Sequence, residues 1–100
     1  MLLKNLTPAD TDNTTGQVIH IDHFGNATTN IQHSIVTAFP RAKVQINRKA
    51  IGPLNRTYWD VAPGKPVALI GSSGLLEIAI RDGSAREELG IQVGDAVSLK

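Results

Sequence analysis

The chain lacks cysteine, has few aromatic residues and contains no long apolar run. Without cysteine it can form neither disulfides nor thiolate metal sites, and this is typical of a reducing compartment, so we expect a cytoplasmic location. A membrane helix needs roughly 20 apolar residues, and no run approaches that length. The first residues also lack the apolar segment of a signal peptide. These absences predict a small globule that does not use a membrane.

The remaining composition is that of one globular domain. A chain of 100 residues suffices for one core, and 41% hydrophobic with 19% charged residues argues against disorder. The formal charge of +1 gives no general attraction to nucleic acid. Residues 1–15 are rich in Asn, Thr and Asp without periodicity, and they predict a flexible leader before a domain at 16–100.

Alternating or apolar runs predict many short strands. They fall at 17–23, 26–31, 43–47, 66–71, 75–80 and 96–99. In the first run, we expect Val18 and His20 on one face and Ile19 and Ile21 on the other. The turn 72–74 predicts a hairpin in which Gly74 supplies a positive φ. Such spacing is typical of a small antiparallel barrel or sandwich.

The segments between these strands predict turns and one short helix. Residues 32–42 are predicted to be a polar connection, 51–53 a turn, and 56–59 an aromatic strand end. Ser84 and Glu87 have capping-box spacing at the start of a helical turn that stops at Gly90.

The segment 21–31 is the most informative part of the sequence. Strand alternation places Asn26, Thr28 and Asn30 on one face, and Thr29 and Ile31 on the other. Buried carboxamides need several hydrogen-bond partners, so the first face is poor core material. It therefore indicates either a small-molecule contact surface or a corner in which polar side chains cap their own backbone.

Other reactive residues give weaker signals. His20 and His23 are three apart on a predicted strand and would point to opposite faces, so we expect no metal site. Ser72 and Ser73 lack the GxSxG elbow of a serine nucleophile. Glu77 is interpreted as a salt-bridge partner at the barrel rim.

A basic segment at 40–56 allows two interpretations. It could bind the phosphates of a single-stranded nucleic acid, or it could protect a sheet edge from aggregation. Only two aromatic residues lie nearby, so a base-stacking platform would be thin. Its cations are Arg41, Lys43, Arg48, Lys49 and Arg56.

Three blocks occur in a specific order along the chain: FGN at 24–26 with TN at 29–30, SSGLLEIA at 72–79, and GSA at 83–85. With the residues between them they cover roughly 16–99. This region resembles the C-terminal domain of the S-adenosylmethionine hydroxide adenosyltransferases, a family that includes the fluorinase- and chlorinase-type halogenases.

The resemblance implies an all-β fold, a small and partly open Greek-key barrel with one short helical turn. In that family the barrel follows a larger α/β domain, and the subunits form trimers. S-adenosylmethionine lies between the α/β domain of one subunit and the barrel of its neighbour. We therefore expect an α/β domain or a neighbouring subunit as partner, and a homo-oligomer.

The resemblance also implies residues for the adenine end of the ligand. By position, Asn26 would hydrogen-bond the adenine edge and Phe24 would form a wall of the pocket. Tyr58 would pack on the adenine ring, since purines prefer aromatic faces. Backbone contacts to the adenine amine would come from Arg81, Asp82 and Gly83.

For the methionine end, the resemblance implies that Asp22 pairs with the ammonium and that Ser72 and Ser73 hold the amino-acid group. The halogenases carry an Arg at the position of Ser73 and an aromatic residue at that of Thr28. Both differences favour the hydroxide-transferring branch.

The catalytic Asp, Arg and His of that family belong to its α/β domain, which these 100 residues do not contain. We therefore expect no catalytic residue here, no cofactor beyond S-adenosylmethionine as substrate, weak binding and no activity of the chain alone. Two alternatives stay open: a stand-alone barrel for another adenine ligand, and a single-stranded nucleic-acid binding barrel.

Overall fold

Seven strands form one antiparallel sheet in the computed structural model, which describes residues 15–39 and 41–100. The predicted leader therefore lies, up to residue 14, outside the described residues. The strands are β1 (Thr15–Ile21), β2 (Ala27–Gln32), β3 (Lys43–Ile46), β4 (Lys49–Pro53), β5 (Pro66–Ile70), β6 (Leu75–Ile80) and β7 (Ala96–Leu99).

The sheet is nearly closed into a barrel. Its spatial order is β4-β3-β7-β1-β2-β6-β5, so the last strand lies between the first and the third, as in Greek-key connections. A parallel bridge between Leu54 and Ala68, with Asn55 N donating to Ala68 O at 2.8 Å, joins the two outer strands. The predicted all-β barrel is confirmed.

The core fills the barrel, and a second small cluster lies outside it. Val18, Ala27, Ile46, Leu76 and Ile78 are among the fully buried side chains of the interior. The second cluster, on the outer face of β5 and β6, consists of Val67, Leu69 and Ala79 covered by Tyr58 and Val61. Because both faces of β5 and β6 are covered, these strands have continuous apolar runs instead of alternation.

Two short helices and one 3₁₀ turn connect the strands: α1 (His33–Ala38), the 3₁₀ turn (Tyr58–Asp60) and α2 (Ala85–Leu89). The predicted start and stop of α2 are confirmed, since the Ser84 side chain accepts from Glu87 N and Gly90 has φ 67°. None of the helices in 15–39 and 41–100 is long and apolar enough to cross a membrane.

Three predictions about connections are wrong. Residues 33–38 of the predicted polar connection form α1, so the described residues contain two short helices instead of the one predicted, and Val36 of α1 buries its side chain in the core. Residues 51–53 belong to β4, where a register shift beside Gly52, at φ 120°, indicates a bulge. Residues 58–60 form the 3₁₀ turn instead of a strand end, because a capping box between Thr57 and Asp60 closes it.

β1 also departs from the predicted alternation. Val18 is opposite Thr29 and His20 is opposite Thr28, which leaves Ile19 as an extra, 44% exposed residue. The bulge lies where β1 passes from its pairing with β7 to its pairing with β2. His23 lies in the loop beyond the strand, so its predicted strand position is wrong.

Candidate functional site

The loop between β1 and β2 is organised by the Asp22 carboxylate. Its Oδ1 accepts hydrogen bonds from the backbone N–H groups of Phe24 at 2.9 Å and Asn26 at 3.0 Å. Its Oδ2 accepts from Asn26 Nδ2 at 3.3 Å. This bond orients the Asn26 amide, so that Oδ1 of Asn26 keeps its accepting capacity. The interpretation as a corner in which polar side chains cap their own backbone is thus confirmed, and the small-molecule contact surface stays a prediction.

The same loop requires a glycine at its tip. Gly25 has φ 86°, and a side chain there would overlap the Ser84 side chain at the start of α2. Arg86 N also donates to Gly25 O at 2.9 Å, which ties the loop to α2. Phe24 beside it is left 74% exposed.

The 3₁₀ turn presents two adjacent aromatic residues in different ways. Thr57 Oγ1 accepts from Trp59 N at 3.1 Å, and Asp60 Oδ2 accepts from the N–H groups of Arg56 and Thr57. These two backbone hydrogen bonds lower the pKa of Asp60. Tyr58 packs on the outer cluster, whereas Trp59 stays 70% exposed.

The Arg81 guanidinium packs against the Trp59 ring. Its Nη1 donates to Val61 O at 2.7 Å, and its guanidinium carbon lies 4.7 Å from the centroid of Trp59. The Arg81 Nε is buried and has no acceptor among the residues described. Cation–π contacts of this kind favour a fixed ring position.

A cleft of about 370 Å³ lies between these elements. This is within the size range of small-molecule sites. Six of the nine predicted site residues line it: Phe24, Asn26, Tyr58, Arg81, Asp82 and Gly83. Trp59 and Ile80 also line it and were missed, although Trp59 follows Tyr58 directly in a chain with four aromatic residues.

The backbone of 81–83 is largely occupied by its own hydrogen bonds. Arg81 N donates to Lys65 O at 3.0 Å, Arg81 O accepts from Gly64 N at 2.7 Å, and Gly83 N donates to Ile80 O at 3.1 Å. No turn or loop bond of the described residues uses Asp82 O or Gly83 O. These two carbonyls are therefore the acceptors that the segment can offer to an amine in the cleft.

The other three predicted residues do not line the cleft. Asp22 reaches it only through Asn26. Ser72 and Ser73 are exposed in the β5–β6 turn, where Gly74 N donates to Gly71 O at 3.0 Å and Gly74 has the predicted positive φ, at 83°.

Glu77 lies beside this turn. On β6 it is opposite Thr28 of β2 and Leu69 of β5, and its carboxylate covers Gly71 so closely that any side chain there would overlap it. Burial and, secondarily, the Asp22 charge raise the pKa of Glu77. The interpretation of Glu77 as a salt-bridge partner is wrong, because the one ion pair within the described residues joins Arg86 and Glu87.

The charges of Glu77 and Asp22 also affect Tyr58. Burial is the main cause that raises the pKa of the Tyr58 hydroxyl, and the charges of Glu77 and Asp22 raise it further. Since Tyr58 lines the cleft, the charges of Glu77 and Asp22 both influence a cleft residue.

The basic segment and the histidines form no comparable site. The described cations of 40–56 do not line the cleft, and Lys49 Nζ donates to Leu89 O at 3.2 Å, at the end of α2. Within 15–39 and 41–100, no three His, Asp or Glu residues come together as metal ligands. A second cleft of about 320 Å³, beside α1 and β3, has no titratable side chain in its lining.

Comparisons with known proteins agree with the resemblance. Residues 16–98 match the family described as the SAM hydroxide adenosyltransferase C-terminal domain. A protein named (R)-S-adenosyl-L-methionine hydrolase from Thermus thermophilus is 41% identical over 97 residues, which are 97% of this chain and 36% of that protein. A protein of the same name from Salinispora arenicola is 31% identical over 94 residues, or 94% of this chain and 35% of that protein.

Two solved structures share the fold. A conserved hypothetical protein from Thermus thermophilus has a TM-score of 0.75 and 40% identity, over 90% of this chain and 36% of that one. An uncharacterized conserved protein from Thermotoga maritima has a TM-score of 0.78 and 27% identity, over 90% of this chain and 37% of that one. The chain thus spans only about a third of the relatives that it matches.

Proposed function

The chain belongs to the SAM hydroxide adenosyltransferase C-terminal domain family, and we propose that it supplies the adenine-binding part of an S-adenosylmethionine site in an adenosine-forming hydrolase. The observation that carries this proposal is the orientation of Asn26 in the cleft beside Tyr58. The relatives named as S-adenosylmethionine hydrolases support the choice of ligand.

The cleft suits adenine for a specific reason. Asn26 Nδ2 is held by Asp22, so Oδ1 faces a ligand as an acceptor and matches the exocyclic amine of adenine. The Asp82 carbonyl offers a second acceptor, and Tyr58 offers an aromatic surface for the purine ring. A purine that carries a carbonyl in place of this amine would bring its oxygen against Asn26 Oδ1, and two acceptors cannot form a hydrogen bond.

The proposed reaction is attack of water on the ribose C5′ of S-adenosylmethionine. The new C–O bond forms as the C–S bond breaks, its electron pair goes to sulfur, and adenosine, methionine and a proton result. Such a displacement needs a water molecule in line with the leaving sulfur. Asp22 lies in the β1–β2 loop itself, and three hydrogen bonds from that loop already occupy its carboxylate.

We therefore propose that the barrel positions substrate and that an α/β domain activates the water. Because the chain spans about 36% of its Thermus relative, a partner domain of this kind is consistent with the comparison. The exposed rings of Phe24 and Trp59 at the cleft are the surface we assign to that domain or to a neighbouring subunit, in a trimer as in the family. A cytoplasmic location stays a prediction.

The test is adenosine release from S-adenosylmethionine, measured by chromatography with the chain alone and then with the α/β domain of a related hydrolase. We expect release only from the mixture. Release by the chain alone would overturn the assignment of catalysis to the α/β domain. Binding of adenosine without binding of S-adenosylmethionine would favour a stand-alone barrel for another adenine ligand.

A further inference from the structure

Tyr58 and Trp59 are neighbours on the 3₁₀ turn and both line the cleft, but their rings have different surroundings. The Tyr58 ring packs on the second cluster, on the outer face of β5 and β6, which covers part of its surface. Trp59 belongs to neither core cluster and is 70% exposed. The larger of the two rings is therefore the one with more apolar surface left for a ligand.

The Trp59 ring is exposed and nevertheless held in place. Its backbone N–H donates to Thr57 Oγ1 at 3.1 Å, within the capped turn. The Arg81 guanidinium carbon lies 4.7 Å from the centroid of the ring, and Arg81 Nη1 is itself anchored by Val61 O at 2.7 Å. A ring that is ordered before the ligand arrives reduces the entropy cost of binding.

The contact with Arg81 also limits what the Trp59 ring can bind. The face of an aromatic ring attracts cations, and the Arg81 guanidinium already lies over one face. A second cation on the opposite face would be repelled by Arg81 across the ring, whereas a neutral purine would not be. Trp59 is therefore better suited to stack on adenine than to contact a sulfonium or an ammonium group.

We propose that Trp59 is a further ligand-binding residue of this cleft and that its ring stacks on the purine of the adenine ligand. The inference rests on the proposed function, and it gives Trp59 a ligand contact in addition to its contact with the α/β domain. Tyr58 and Trp59 then both offer aromatic surface to the purine, while Asn26 Oδ1 accepts from its amine. Arg81 acts through Trp59 as a positioning residue.

The first experiment uses the wild-type chain, in which Trp59 is the one tryptophan. Its indole signals can therefore be followed without ambiguity in a two-dimensional NMR titration with adenosine. We expect the ring current of the purine to shift the indole protons upfield. We also expect nuclear Overhauser effects between these protons and the H2 or H8 proton of adenine. If adenosine binds and neither signal appears, Trp59 does not stack on the purine.

The second experiment removes the aromatic face. Trp59→Leu keeps an apolar side chain, and we expect it to weaken adenosine binding about tenfold, as for loss of base–aromatic stacking. Trp59→Phe should restore most of the affinity, because it restores an aromatic face. Phe39→Leu is the matched control, since Phe39 is an exposed aromatic residue that does not line this cleft. It should keep the wild-type affinity.

Three ligands that share the purine separate stacking from charge recognition. Adenosine has no cationic group, S-adenosylhomocysteine has an ammonium group, and S-adenosylmethionine has a sulfonium in addition. Because stacking involves only the purine, Trp59→Leu should weaken the binding of all three by a similar factor. A loss confined to S-adenosylmethionine would mean that the sulfonium contacts the ring, and it would overturn the inference.

The outcomes also separate this inference from the proposed function. If Asn26→Ala weakens adenosine binding and Trp59→Leu leaves it within about twofold, the role of Trp59 is overturned and the proposed function stands. An effect of Trp59→Leu only on association with the α/β domain would limit Trp59 to the interface and also overturn the inference. If no adenine ligand binds the wild-type chain, both proposals fail.

Discussion

Asn26 donates from both its backbone N–H and its side-chain Nδ2 to the carboxylate of Asp22, at 3.0 and 3.3 Å. The two residues therefore act as one unit, in which the carboxylate holds the Nδ2 end of the amide and leaves the Oδ1 end free to accept. An acceptor of this kind selects for a ligand amine.

The first prediction concerns this selectivity. We expect the wild-type chain to bind adenosine about tenfold more tightly than inosine, because inosine replaces the amine with a carbonyl that would face Asn26 Oδ1. Asn26→Ala should weaken adenosine binding and remove the preference, since no acceptor remains. NMR titration with both nucleosides measures this. An Asn26→Ala variant that keeps the preference would show that another group recognises the amine.

The second prediction uses Tyr58, the one tyrosine of the chain. Its pKa is raised above the ordinary 10.0 by burial and by the charges of Glu77 and Asp22. Glu77→Gln should therefore lower the midpoint of its titration, and Asp22→Asn should lower it less. Ultraviolet absorbance of the tyrosinate reports this residue alone. The control is Glu87→Gln, and a midpoint that shifts equally in this control would contradict the proximity of Glu77.

The third prediction concerns stability against pH. The pKa of Glu77 in the folded chain lies above the ordinary 4.5, so between these two values the folded state holds more protons than the unfolded state. The contribution of Glu77 is thus most favourable below 4.5 and is lost as pH rises through its folded pKa. Glu77→Gln should remove this loss and make the ligand-free chain more stable at neutral pH.

Urea unfolding of both chains at several pH values measures the effect as a difference. The difference is needed because Asp60 and Asp95 have lowered pKa values and act in the opposite direction, with stability lost as pH falls through them. Asp22 and Tyr58 are the titratable groups whose charges are coupled to Glu77. His20 of β1 and Glu77 of β6 are both opposite Thr28 of β2, so the three residues lie side by side across the sheet. Repeating the comparison in a His20→Gln background removes that imidazole. A constant difference at every pH would contradict the prediction.

Sequence patterns predict the parts of this fold that depend on local alternation. Thr29 and Ile31 are buried and Asn30 is exposed, as predicted, and Thr29 Oγ1 is satisfied by Leu76 O at 2.9 Å. The bulge at Ile19 could not be predicted, because it arises where one strand changes partners. Contacts between neighbouring strands are not encoded in the alternation of one strand.

In the candidate site, too, the features carried by local sequence were predicted and those assembled from distant segments were not. The resemblance identified six residues of the cleft, since five lie in or beside a recognisable block and Tyr58 lies in the matched region between the blocks. The environment of Glu77 escaped prediction, because it is assembled from the loop of Asp22, the turn of Tyr58 and the glycine at 71. These segments are distant in sequence and meet only in the folded, nearly closed barrel.

The last prediction concerns the support of Trp59, the one tryptophan of the chain. The Arg81 guanidinium donates to Val61 O and stacks on the Trp59 ring, which needs a planar group with several donors. Arg81→Lys keeps the charge but loses the stacking, and it should lower the free energy of unfolding by about 1 kcal/mol. It should also weaken adenosine binding, because a mobile ring must be ordered when ligand binds.

Denaturant unfolding and tryptophan fluorescence measure both effects of Arg81→Lys. Arg86→Lys is the matched control, since Arg86 is an exposed arginine whose one ion pair, at 3.7 Å to Glu87, contributes little. We expect the control to keep wild-type stability, adenosine affinity and fluorescence. Equal losses in both variants would mean that the contact with Trp59 does not support the cleft. A loss of stability without a loss of affinity would limit Arg81 to a structural role.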